Sequence, residues 1–175
     1  KRQDSKRTEN TQKQEKTPPL SGNASLGMSH QIDAEVLCDA IIAQHGRELE
    51  DYAASHFPEA SPTSTRERVL VALRRMEEAS FSGDGTALRT IRLLTSPDFD
   101  ATAIMQSHSA ELPPDYVLPR PIPVAYFIFN ESHGFSHLQD VLIRAADILN
   151  SPEMKGKAIN RSVLEAAVIL HDYFR

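Results

Sequence analysis

SHGFSHLQDVLIRAADIL, residues 132–149, and NRSVLEAAVILHDYFR, residues 160–175, are the stretches whose reading decides the fold. From Phe135 the apolar positions Leu138, Val141, Leu142, Ala145, Ile148 and Leu149 recur at the spacing of an amphipathic helix until Pro152 stops it. In the second stretch Asn160 is placed to cap a helix whose apolar set is Val163, Leu164, Ala166, Ala167, Val168 and Leu170. That set covers the helix nearly all round, so this helix is expected to be the buried one. His133 and His137 stand at the head of the first helix, and His171-Asp172 at the end of the second.

Upstream the same helical pattern continues. Residues 1–29 lack apolar periodicity and contain Thr17-Pro18-Pro19 and Ser21-Gly22, so a disordered tail is expected there. Residues 30–112 form a helical N-terminal region. Ile32, Val36, Leu37, Ala40 and Ile41 predict a first helix that ends or bends at Gly46 and resumes through Leu49 and Tyr52. Ser64 followed by Glu67 is a capping box, and Val69, Leu70, Leu73 and Met76 are the stripe of the helix it opens. Ser82-Gly83-Asp84-Gly85 reads as a turn, since it lacks the Lys-Ser/Thr of a phosphate loop and the acidic ladder of a calcium loop. A shorter helix through Leu88, Ile91 and Leu94 then runs up to Pro97. Residues 113–123 hold five prolines and predict an extended linker, a hinge between two helical halves. Val124 to Phe129 is the one β-rich run in a chain whose strand signals are otherwise weak, so the fold class is all-α, a helical bundle.

Composition narrows the function classes. The 175 residues, 40% apolar, suffice for one domain with a tail. Residues 1–16 carry six basic and three acidic side chains, a net +3 against −5 for the whole, which leaves −8 on the remainder. This basic tail interleaves acids and amides and has no aromatics, so it reads as solvated rather than as a nucleic-acid arm. The single Cys38, in the run EVLCDAII, reads as a small buried hydrophobe and favours a reducing, cytoplasmic setting. Nothing reads as a signal peptide or a membrane span, and no membrane partner is expected.

The His and His-Asp groups carry the chemistry. Imidazole and carboxylate hold Zn, Mn or Fe, and carboxylate with water suits Mg, so together they can build a hydrolytic centre. Four residues apart, His133 and His137 project from one face if both are helical, although the spacing alone is better explained by a polar, half-exposed helix start. Gly134 argues that the helix begins near Phe135 and leaves His133 in the entry loop. An Asp after the run AAVIL must meet a cation, an Arg or hydrogen-bond donors if buried, or else the helix surfaces there and both groups see water. His45, His56 and His108 have no partners in sequence and read as structural or solvent-facing.

The order His133, His137, Asp140-Val141 and then His171-Asp172 at the end of an Ala-rich apolar helix resembles the HD-domain metal-dependent phosphohydrolases, the class I cyclic-nucleotide phosphodiesterases among them. The resemblance covers His133 to Arg175. It implies that His137, His171 and Asp172 are ligands of a divalent metal (Zn, Mg, Mn or Fe) and that His133 is the acid protonating the leaving oxygen. It implies for Asp140 a carboxylate that orients a ligand or water. Arg175 stands where the cyclic-nucleotide enzymes carry a further His; it could hold substrate phosphate or satisfy helix-end carbonyls. The family also uses an Asp from a later helix, so residues 124–175 are expected to be the start of an HD-like domain, truncated before that helix. The implied function is hydrolysis of a nucleotide or other phosphodiester by metal-activated water. The alternative is a non-catalytic helical interaction or regulatory module, docking a protein partner through the charged face of Glu67, Arg68, Arg74, Arg75, Glu77 and Glu78.

Overall fold

A computed structural model describes residues 32–58, 64–100, 102–103 and 122–173. The chain divides between Lys1–His30 and Gln31–Arg175, and the elements below all belong to the second unit. The tail expected over residues 1–29 and the linker over 113–121 lie outside the described residues.

Six α-helices are described: α1 (Ala34–His56), α2 (Thr65–Ala79), α3 (Thr86–Leu94), α4 (Val124–Phe129), α5 (Phe135–Leu149) and α6 (Arg161–Leu170), with a 3-10 turn at Pro152–Met154. No strand occurs among the described residues, and the architecture is an all-helical bundle. None of the described helices is long and apolar enough to cross a membrane.

Local chemistry explains most helix starts. The Asp33 carboxylate accepts from the Glu35 amide at 2.7 Å to open α1, Ser64 Oγ accepts from Glu67 N at 3.2 Å to open α2, and Asn160 Oδ1 accepts from Val163 N at 3.1 Å to open α6. Each satisfies an amide that the helix itself leaves over. Between α2 and α3 the chain turns through Gly83 and Gly85, both at positive φ, where glycine is unstrained. Asp84 between them accepts from Thr86 N and Oγ1 and from the hydroxyls of Ser82 and Ser162.

Two elements differ from the sequence reading. Gly46 neither ends nor bends α1, which runs unbroken to His56. A helical glycine costs about 1 kcal/mol, whereas burying a Leu side chain contributes about 1.5–3 kcal/mol, and Leu49 just beyond is fully buried. The β-rich run Val124–Phe129 is helical, because Val124, Ala125, Phe127 and Ile128 are all buried there, and Pro123, at φ −55° and ψ 144°, stands just before it as its N-cap. The Glu48 carboxylate of α1 accepts from the second amide of that short helix, Ala125 N, at 2.7 Å.

Helices from both sides of residues 113–123 share one core. α1 packs on α2 and α4, α2 on α5, and α3 on α6. Ile41, Leu73, Ile91, Phe127, Leu138 and Ile169, one from each helix, are essentially inaccessible to solvent. Part of the charged face of α2 is already engaged within the fold, since Arg74 bonds Glu35 at 2.6 Å and Arg66 bonds Asp39 at 2.7 Å, both on α1. His45 is likewise structural, its Nε2 lying 2.8 Å from the Thr95 carbonyl at the end of α3.

Candidate metal centre

The first half of the centre is delivered by the turn between α4 and α5. Asn130 Oδ1 accepts from the amides of Ser132 at 3.0 Å and His133 at 2.9 Å, and the Asn130 carbonyl accepts from Gly134 N at 2.8 Å. The turn closes so tightly that a Cβ on Gly134 would lie 2.4 Å from the Asn130 carbonyl oxygen and 2.8 Å from its nitrogen. The glycine is required by this close approach, since its φ of −92° is open to any residue. α5 then starts at Phe135, leaving His133 in the turn and His137 in the first helical turn, with ring centroids 6.0 Å apart.

The second half comes from the end of α6. That helix is less buried than its composition suggests: Val163 is 64% exposed, and Glu165 and Ile169 are its buried residues. Glu165 was missed by pattern reading. Its carboxylate is wholly enclosed and accepts from Ser80 Oγ at 2.9 Å, Phe81 N at 2.6 Å and Ser82 N at 3.1 Å, and Ser82 Oγ, 2.6 Å away, shares its one proton between Glu165 and Asp84. A lone Glu in the run VLEAAVIL was the available signal. Past the helix end Tyr173 donates its hydroxyl to the Leu94 carbonyl at 2.9 Å, and burial raises its pKa above the ordinary phenol value. Phe127 joins the two halves, meeting Phe135 and Tyr173 edge-on with centroids 5.1 Å away in both cases.

Three imidazoles converge on one carboxylate oxygen. Asp172 Oδ2 lies 3.1 Å from His137 Nε2, 3.3 Å from His171 Nε2 and 3.8 Å from His133 Nδ1. Asp172 is 5% exposed, while the three imidazoles are a third or more open to solvent. The neighbours His171 and Asp172 thus face opposite environments: the imidazole surfaces and the carboxylate turns inward. His171 Nδ1 donates to the Val168 carbonyl, which fixes the ring with Nε2 turned towards the cluster. Such an outer hydrogen bond is the usual support of a metal-binding imidazole.

One ligand atom from each of His137, His171 and Asp172 lies within 4.8 Å of the others. Two imidazole nitrogens and a carboxylate oxygen at this spacing fit a divalent cation of borderline hardness. His133 stands beside this group of three. Asp140 is exposed on α5, one turn beyond His137, and outside the group. Arg175 lies outside the described residues. Compared with protein-family models, with curated proteins and with solved structures, the chain gives no match.

Proposed function

We propose that the His-Asp cluster is the metal centre of an HD-type phosphohydrolase acting on a nucleotide or other phosphodiester. The observation that carries this reading is the convergence of three imidazoles on Oδ2 of one buried carboxylate. His137, His171 and Asp172 would hold the cation. When bound, a divalent cation supplies Lewis acidity towards a phosphoryl oxygen and makes water acidic enough to attack near neutral pH. His133, held by the Asn130 turn and not needed as a ligand, carries at its imidazole the proton that the departing alkoxide takes up. Asp172 supports that protonated ring from 3.8 Å. Asp140, exposed on α5, is left to orient water from the rim. A cytoplasmic setting goes with the free, buried thiol of Cys38.

The test is metal content by mass spectrometry, paired with hydrolysis of bis(4-nitrophenyl) phosphate. His137→Ala and His171→Ala are expected to lose the metal, and His133→Ala to keep it while slowing hydrolysis by about 100-fold or more. Unchanged metal content in His137→Ala would overturn the ligand assignment.

A further inference from the structure

His133 keeps nearly the spacing of a fourth donor. Donors held about 2.0–2.1 Å from a tetrahedral cation stand about 3.3–3.4 Å from one another. His137 Nε2 and His171 Nε2, at 3.1 and 3.3 Å from Asp172 Oδ2, are already close to that spacing. His133 Nδ1, 3.8 Å from the same oxygen, exceeds it by about half an ångström, which a small turn of the ring covers. The rings on either side of His137 are placed alike, with centroids 6.0 Å away for His133 and 5.8 Å away for His171. Nor does His133 lie further out, since at 33% exposure it is the most enclosed of the three imidazoles.

Three donors and four have different consequences. With three from the protein a cation keeps an open position for water or substrate, and with four the site is closed. The Asn130 turn clamps His133 by its backbone amide, so rotation of the ring leaves the turn intact. A fourth donor on such a mount can close the site and withdraw from it.

We propose that His133 is the fourth ligand of the resting centre and that a phosphoryl oxygen displaces it on reaching the cation. The proposal rests on the metal reading given above and adds regulation to it: His133 keeps the centre closed until a phosphate opens it, and the displaced ring then stands beside the leaving oxygen. Four-coordinate Zn or Co(II) would be held in this way, whereas Mg, which takes six oxygens, would leave His133 aside.

The whole chain loaded with Co(II) tests this, because cobalt shifts the ring-proton NMR signals of the imidazoles bound to it. Three imidazoles should be shifted in the unaltered chain and two in His133→Ala. His133→Ala should also hold cobalt at least about tenfold more weakly, since even groups that only support a ligand cost that much. Inorganic phosphate added to the unaltered chain should return the His133 signals to their unshifted positions and leave those of His137 and His171 shifted. The variant should bind phosphate about tenfold more tightly, the gain when a position filled nine times in ten is left open. Only two shifted imidazoles in the unaltered chain, with cobalt lost from His137→Ala, would overturn the proposal and leave the metal reading standing. Equal phosphate binding by the unaltered chain and His133→Ala would do the same. A chain that takes up no cobalt would overturn both.

Discussion

Gly134 is the residue on which the geometry of the centre turns. Any side chain there must displace Asn130 backbone atoms that would otherwise sit 2.4 and 2.8 Å from its Cβ, and backbone yields less readily than a side-chain end. Gly134→Ala is therefore expected to destabilise the fold by about 1–3 kcal/mol, the cost of overpacking a tight site. Urea denaturation measures the loss, and a midpoint equal to that of the unaltered chain would show that the turn relaxes freely. The glycine was legible in sequence as the place where the helix begins. Its close approach to Asn130 was not, because it depends on how the turn before α5 folds back.

At the scale of the element, the helix ends follow from neighbouring residues and were readable: Ser64 with Glu67, and Asn160 with Val163, act within three positions of each other. Val124–Phe129 was ambiguous because a short, wholly apolar run has no period to distinguish strand from buried helix. The start of α3 depends on pH. Asp84 accepts four hydrogen bonds, and the Thr86 hydroxyl above all, then those of Ser162 and Ser82, hold its carboxyl well below the usual carboxylate range. A depressed folded-state pKa contributes stability that is present above the unfolded value of about 3.9 and is lost as pH falls through the folded one. Asp84→Asn should thus be less stable than the unaltered chain at neutral pH, with the difference shrinking in acid below pH about 4. Denaturation curves at both pH values check this, and a constant gap would exclude the carboxylate as its source.

Across the whole molecule, the centre depends on contacts between residues far apart in sequence. Glu165 reaches donors 83, 84 and 85 positions away, which no local pattern encodes. Glu165→Ala would leave two amides and two hydroxyls without that acceptor, and a loss of about 2–4 kcal/mol is expected in urea titrations. Glu165→Gln, which keeps a carbonyl acceptor, should lose less; equal losses would mean that the hydrogen bonds are not the cause. The His-Asp pattern itself was visible in sequence, whereas the burial of Asp172 beside an exposed His171 required the packing of α6 against α3 and α5. Glu165 before Asp172, and Tyr173 after it, fasten the carboxylate-bearing turn to the rest of the bundle on both sides. In the proposed metal centre an arriving cation would meet donors already in register, so little of its binding free energy would go into arresting chain motion. Capture would then be governed by encounter and by shedding of hydration water rather than by folding of the protein around the ion.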